Sequence, residues 1–435
     1  MNKEIYELFD RESDERIKNG IERHRKGNFT VTVTDKNGAP VKNARLKIKQ
    51  TGHEFRFGAN IFMLDEFDNK EYNEIYKQKF RELFNMATLP FYWDTLEPEE
   101  GNTRYDKNSP KIYRRPAPGL CLDFCEKYGI EPREHALCYS NLFPKWLKGK
   151  SVFDCKRALV RRMAEISARY ADKIRTIEVT NEMYWDESAT VLYDDPDYVE
   201  WCFKTAEKYF PANQLCINEW TGTIWDSPGR TSDRYYMQIE NALLKGARID
   251  AVGMQFHMFF RREEYFRKTR KCYDPHRLFK ILDLYARFNL PIQITEITIP
   301  SYTQQPQDEE LQAIMLEKLY SLWFSHPAVE QIIYWNLADG YAASASPGNM
   351  DEGENYYRGG LLRFDLSEKP SYKTLKKLVS KDWNTDLTAI TDEAGQARFS
   401  AFYGDYTIKA AANGCEKTTD EKLGSDSLRS VAIIL

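Results

Sequence analysis

Ile174–Arg175–Thr176–Ile177–Glu178–Val179–Thr180–Asn181–Glu182 is an apolar, β-branched run that closes on an acid, and Pro291–Ile292–Gln293–Ile294–Thr295–Glu296 repeats the arrangement. Such runs, bounded by turn residues, read as strands. Working outward, similar runs lie near 54–60, 83–88, 132–138, 175–180, 213–218, 250–256, 290–296 and 330–335. Between them, helical spacing predicts helices near 70–83, 117–128, 155–173, 196–209, 233–246, 276–288 and 308–325, with a last one near 371–380. The stretch from Asp154 to Ile166 shows the i, i+3, i+4 apolar recurrence plainly. Eight strand–helix alternations predict an α/β fold closed into a parallel (β/α)8 barrel of the TIM type. An open doubly wound sheet is the rival, but no glycine-rich phosphate loop follows the first strand. In a closed barrel the C-terminal strand ends form the mouth, where reacting groups gather. Glu182 and Glu296 both belong there.

The two ends of the chain break the alternation. Residues 28–50 read as two alternating strands around Asp35–Lys36–Asn37–Gly38, and residues 386–435 read likewise, with Asp392–Glu393–Ala394–Gly395 as a turn. Two-stranded hairpins are marginal in water. The economical expectation is that the ends pair into one small discontinuous β-sandwich, 28–50 with 384–435. A barrel at 51–383 interrupts it, and a helical segment at 1–27 precedes it. Phe399, Phe402 and Tyr403 alternate as core residues do.

At 435 residues the chain accommodates such a barrel with roughly a hundred residues to spare. Sixty-two basic against sixty-six acidic residues leave a net charge of −4, so no nucleic-acid partner is expected. No apolar stretch reaches the length of a membrane span. The charged start Met1–Asn2–Lys3–Glu4 shows no export-signal pattern, which suits a cytoplasmic protein or a secreted one whose signal lies outside this stretch. Eight cysteines form no disulfide framework, and Cys121 and Cys125, four apart with no second pair, do not make a zinc site. Reduced thiols, no metal, no organic cofactor and a monomer are the expectations.

Two carboxyls facing each other are the minimal equipment for cleaving a glycosidic bond. One donates a proton and the other attacks as the anion, about 5–5.5 Å away in the retaining geometry. Proximity keeps a proton on one of them. An isolated glutamate at a strand exit is more often a surface ion-pair partner, but here two occur, with Asn181 beside one. Gln255 and His257 share a face of the sixth strand. Aromatics make up 14% of the chain, more than a core alone usually needs, and their faces stack on sugar C–H faces. Glu178 reads as part of a structural ion pair. Glu219, after Asn218 on the fifth strand, is a third carboxylate near the cleft.

Thr180–Asn181–Glu182, Gly253–Met254–Gln255–Phe256–His257, Ile294–Thr295–Glu296 and Trp335–Asn336–Leu337–Ala338–Asp339 occur in that order at barrel-strand spacing. With Trp93–Asp94–Thr95–Leu96–Glu97–Pro98 and Arg133–Glu134–His135, they resemble the signature positions of glycoside hydrolase family 10, the retaining β-1,4-xylanases. The resemblance covers roughly residues 54–380. It implies a carbohydrate substrate, with Glu182 as acid and then base and Glu296 as nucleophile. It also implies Asn181 on the sugar 2-OH, His257 holding the nucleophile, Trp335 flooring the sugar, and His135, Gln255 and Trp93 around it.

The chain departs from the family at the distal sugar. Tyr92 stands where the family has Lys, and Leu89 where it has Asn. Cys138–Tyr139 follows His135 where a Trp is usual. The Trp beyond the eighth-strand Asp gives way to Asp339–Gly340–Tyr341–Ala342–Ala343 and an insertion from Ser344 to Arg358. Tyr92, Tyr139 and Glu219 therefore join the substrate-binding candidates. An intact acid pair beside altered recognition implies the same reaction on a less polar or differently substituted glycan. A catalytically silent carbohydrate-binding barrel and a β-glycosidase of another sugar specificity are the alternatives.

Overall fold

The computed structural model describes residues 3–184, 190–427 and 429–435. In chain order, β1 (Lys26–Thr34) and β2 (Arg45–His53) lead into β3 (Arg56–Asn60), β4 (Met86–Pro90), β5 (Glu131–His135) and β6 (Cys138–Tyr139). They are followed by β7 (Thr176–Asn181), β8 (Gln214–Glu219), β9 (Ala251–His257), β10 (Ile292–Thr298) and β11 (Val329–Tyr334). The parallel sheet runs β5-β4-β3-β11-β10-β9-β8-β7-β6, and a further β5–β7 pairing closes it into the expected (β/α)8 barrel. β5 and β6 are two halves of the third barrel strand. Arg133 and Glu134 lie beside Thr176 and Ile177 of β7, while Cys138 and Tyr139 lie beside Thr180 and Asn181.

Every residue of β7 and β10 is buried. One face of each strand meets the barrel interior and the other meets helices, which is why these strands read as continuous apolar runs. The helices start where side chains or prolines can serve their free N-terminal amides. Asn69, Ser151 and Asp274 accept backbone N–H groups, and Pro118, Pro275, Pro306 and Pro370 occupy first turns. Two short helical turns that the periodicity did not predict, Trp93–Leu96 and Thr221–Trp225, follow the second and fifth barrel strands closely. Both shape the mouth.

The remaining strands are β12 (Asp386–Ile390), β13 (Gln396–Phe402), β14 (Gly404–Ala412), β15 (Cys415–Leu423) and β16 (Ser430–Ile434). They join β1 and β2 in two sheets, β13-β1-β16 and β12-β2-β14-β15. The sequence pattern puts β1 and β2 around one turn, yet they lie in different sheets. β1 pairs with β13 and β16, and β2 pairs with β12 and β14. Each strand carries one apolar face, and setting the two face to face across a sandwich buries both. Phe29, Val31 and Val33 of one sheet share a core with Leu46, Ile48 and Ile408 of the other.

Where the sandwich meets the barrel floor, Trp383 stacks on Phe324 and Phe57 with ring centroids 4.4 and 5.6 Å apart. The helix Arg11–His24 lies against Pro306–Ser325; at Gly20 a Cβ would stand 2.5 Å from the Ser325 carbonyl oxygen, so only glycine permits the approach. All eight cysteines are unbridged, seven of them buried. Among the described residues no helix is long and apolar enough to cross a membrane.

Candidate active site

Both acids sit where their strands lose regular register. β7 slips against β8 between Glu178 and Thr180, and β10 slips against β9 between Ile294 and Glu296. Such irregularities bend a strand and re-aim the next side chain. Glu182 follows β7 with φ of +50°, a left-handed backbone that turns the chain out of the strand, and its amide donates to the Asn218 carbonyl at 3.1 Å. Glu296 lies inside β10 rather than at its end, since the strand continues to Thr298.

A carboxamide wires the two acids together. Gln255 Nε2 donates to Glu182 Oε1 and to Glu296 Oε1, each at 2.9 Å, and stands 3.1 Å from Asn181 Oδ1. Asn218 Nδ2 lies 3.1 Å from Glu296 Oε1 and 3.1 Å from Asn181 Oδ1. Asn218 fits because residue 253 is glycine, where a Cβ would stand 2.5 Å from Asn218 Oδ1. The Asn181 oxygen is thus occupied from two sides, while its NH2 makes no hydrogen bond among the described residues and Asn181 lines the cavity. Tyr139 donates its hydroxyl to Glu182 Oε2 at 2.8 Å.

Charge is balanced by depth. Glu178 pairs with Arg133 and with His135 Nδ1, the latter at 2.9 Å, all fully buried. Burial pushes the Glu178 carboxyl up, but the His135 and Arg133 charges outweigh it and hold it low. Burial likewise disfavours a charged His135, yet the Glu178 and Glu296 carboxylates raise its pKa. A protonated His135 donates at both nitrogens, the second to the Tyr92 hydroxyl oxygen at 2.9 Å, which leaves the Tyr92 proton for a ligand. His257 is the opposite case. Burial pushes it down to about 4, so its Nδ1 accepts from the Thr298 hydroxyl at 2.9 Å and its Nε2–H faces Glu296 Oε2 at 3.2 Å. Burial pushes Glu296 up to about 8, with Glu178 and Glu182 adding to the rise and His135 and Arg133 opposing it.

These groups open into a cavity of about 910 Å³. Phe62, Tyr92 and Trp335 form an apolar cluster on one wall, with the Trp335 ring 5.3 Å from Phe62, 5.5 Å from His135 and 5.7 Å from His257. On the side of the fifth strand, Trp220, Thr221 and Gly222 line it. Of the residues singled out in the sequence, Glu182, Glu296, Asn181, His135, Gln255, His257, Trp335, Tyr92 and Tyr139 come together here.

Trp93 and Glu219 do not. The helical turn at Trp93–Leu96 carries the Trp93 indole into the core, where it donates to Glu97 Oε2 at 2.9 Å and packs on Phe143 and Arg162. Glu219 is fully buried behind the mouth, and its two oxygens take the backbone N–H groups of Met183 at 2.8 Å and Trp220 at 2.9 Å. It braces two strand ends. The residue that reaches the nucleophile from the fifth strand is its neighbour Asn218, which the period-two alternation of a strand puts on the other face. Sequence reasoning also missed Arg114 and Arg115, which line the cavity from the irregular stretch before the helix Pro118–Tyr128.

His135, Glu178 and Glu296 present ligand atoms within 4.8 Å of one another, the one such grouping among the described residues. Its His135 Nδ1 is spent on Glu178, whose other oxygen carries the Arg133 guanidinium. A cation here would displace an existing ion pair.

The family model described as glycosyl hydrolase family 10 matches residues 46–377. Endo-1,4-beta-xylanase 2 of Arabidopsis thaliana is 22% identical over 401 residues, covering 91% of this chain and 33% of its own length. The anti-sigma-I factor RsgI6 of Acetivibrio thermocellus is 25% identical over 416 residues, covering 93% of this chain and 48% of its own length. The chain therefore spans between a third and a half of the length of these two curated relatives. Among solved structures, native xylanase 10B from Thermotoga maritima superposes with a TM-score of 0.58 at 21% identity, over 76% of this chain and 96% of that one. Xylanase 10B from Thermotoga petrophila RKU-1, in complex with xylobiose, gives 0.58 at 22% identity over 76% of this chain and 95% of that one. At these identities the structural likeness is one of fold.

Proposed function

The chain belongs to glycosyl hydrolase family 10, and from that premise we propose that it is a retaining hydrolase of β-1,4-linked, xylan-type glycans working by double displacement. The observation that carries the reading is the Gln255 amide nitrogen standing 2.9 Å from an oxygen of each acid. Two oxygens bridged in this way are no farther apart than twice that distance. An inverting pair keeps a wider gap, about 6.5–9.5 Å, to hold a water.

Three donors, from Asn218, Gln255 and His257, converge on Glu296 and favour its anion. Burial keeps one proton on the pair up to about pH 8, and the reaction draws on the form in which Glu296 is the anion and Glu182 holds that proton. With a sugar ring against Trp335, the Asn181 NH2 meets its 2-OH. A Glu296 oxygen attacks the anomeric carbon while Glu182 passes its proton to the departing glycosidic oxygen. The bond to the leaving sugar breaks and a glycosyl ester to Glu296 forms. Glu182, now ionised, takes a proton from a water as that water attacks the same carbon, and Glu296 departs as a carboxylate.

The test is chemical rescue. Glu296→Ala abolishes turnover of an aryl β-xyloside, and azide restores it with a product of inverted configuration. Retained configuration, or undiminished activity without azide, defeats the assignment. A silent carbohydrate-binding barrel is the second reading. A pure binder has no use for two buried acids sharing one donor, and slow hydrolysis of any aryl β-glycoside excludes it.

A further inference from the structure

Arg115 is a half-buried cation that makes no ion pair among the described residues. Its guanidinium carbon stands 4.3 Å over the Tyr92 ring and 5.6 Å from Phe62, on the wall that would cradle the glycone. Its side chain makes one hydrogen bond, to the neighbouring Arg114 carbonyl at 2.9 Å, and its Nε is buried without a partner. The side-chain hydrogen bonds of Arg114 and Arg115 among the described residues go to Asn336 Oδ1, the Tyr341 carbonyl and the Arg114 carbonyl, none of them a carboxylate. Asp94 and Glu354 are near enough to be felt by Arg115, though not to pair with it.

The surrounding loop holds this arrangement in place. Arg104 donates to the carbonyls of Thr95, Pro110 and Arg115, at 2.9, 2.6 and 3.0 Å. Arg114 sits in the left-handed region at φ +61° and reaches Asn336 Oδ1 at 3.1 Å and the Tyr341 carbonyl. A non-glycine residue keeps such a backbone only where its surroundings enforce it, commonly at binding sites. Two adjacent guanidiniums whose hydrogen bonds go to neutral oxygens favour an anion between or beside them. The planar fork of an arginine whose face is already stacked offers its edge, and that edge matches a carboxylate in two parallel hydrogen bonds.

We infer that Arg115 reads a carboxylate on the substrate, so that the preferred glycan carries a uronic acid at the glycone end of the cleft. The inference rests on the hydrolase reading above, and it restores to this wall a positive charge that Tyr92 does not supply. A carboxylate on a side branch and one on the backbone sugar share this chemistry.

The probes are xylotetraose, the same oligosaccharide bearing one glucuronic acid branch, and a tetramer of β-1,4-linked glucuronic acid. For the wild type, kcat/KM for one acidic probe should exceed that for xylotetraose by on the order of tenfold, and about 0.5 M salt should shrink the ratio. Which probe gains tells branch from backbone. In Arg115→Gln the ratio should fall to about one, whatever the absolute rates, while Arg115→Lys should keep part of it. Equal wild-type rates on neutral and acidic probes, or a preference that survives Arg115→Gln, overturn the inference. Failure to hydrolyse any probe counts against the hydrolase reading instead. The inference is then decided by tryptophan-fluorescence titration with the same sugars: tighter acidic binding that Arg115→Gln removes sustains it, and equal binding refutes it. Should Arg115→Gln not fold, the lysine variant and the salt series decide between the two outcomes.

Discussion

The sandwich core and the barrel mouth are buried to the same degree and built on opposite terms. In the sandwich, burial alternates along β1 and β2, and the interior they share is apolar and aromatic but for Gln50 at the end of β2. At the mouth, Arg133, His135, Glu178, Asn218, Gln255 and Glu296 are all at or near zero exposure on the barrel strands, and every residue of the strands carrying Glu178 and Glu296 is buried. Burial alone therefore marks neither core nor site. What separates them is whether each buried polar group is satisfied by its own neighbours or shares its donors with an open cavity. Glu178 is satisfied. Glu182 and Glu296 share one amide and face space.

The contrast can be broken from either side. The largest effect is expected at Gln255. Gln255→Leu removes the shared donor and should lower kcat/KM by about 10²–10³, on the order of 3–4 kcal/mol. It should also move the alkaline limb of the pH profile upward, because an anion that loses a donor holds its proton longer. If the limb stays put while the rate falls, Gln255 serves packing and not the acid pair.

Ile48→Ala, in the sandwich, should cost about 3 kcal/mol of stability in chemical denaturation while leaving kcat per folded molecule unaltered. A loss of activity in the folded fraction would mean that the two regions are coupled. In the unaltered protein, kcat/KM should fall roughly tenfold per pH unit above about 8, as the pair gives up its last proton. A flat profile from pH 7 to 10 would contradict that. The smallest effect concerns Glu134, which burial pushes up to about 8 despite Arg162. Between the ordinary carboxyl range and about 8 the native state holds a proton that the unfolded chain lacks, so stability declines as pH rises through that window. Glu134→Gln cannot ionise, so a thermal-midpoint profile flatter than the parent's between about pH 5 and 8 is expected. An unchanged slope would place the titration elsewhere.

The eight barrel strands were legible because each is a short, doubly buried run, and both acids because they break such a run with a charge. Their neighbours on the same strands, Asn181, Gln255 and His257, followed by spacing. Other residues depended on backbone that local pattern does not encode. Tyr92 and Trp93 are adjacent, yet one faces the cavity and the other the core, because a single helical turn begins between them. Glu219 drew attention by its charge, whereas the neutral Asn218 beside it makes the contact. Arg115 lies in irregular chain, and its position over Tyr92 is set by Arg104 reaching across the loop. The partition of β1 and β2 between two sheets was hidden for a similar reason, since their partners come from the far end of the sequence.

That partition bears on how the molecule is assembled. Gln50 bonds to Thr385, 335 positions away, and Thr391 bonds to Ala44 across 347. A nascent chain emitting β1 and β2 exposes two half-apolar ribbons that find no mates until the whole barrel has been synthesised. A barrel once folded holds the two tails within reach and removes most of the entropy of closing so large a loop. The sandwich is then the final clasp, and the interval before it closes is when this chain is most open to strand exchange with a copy of itself.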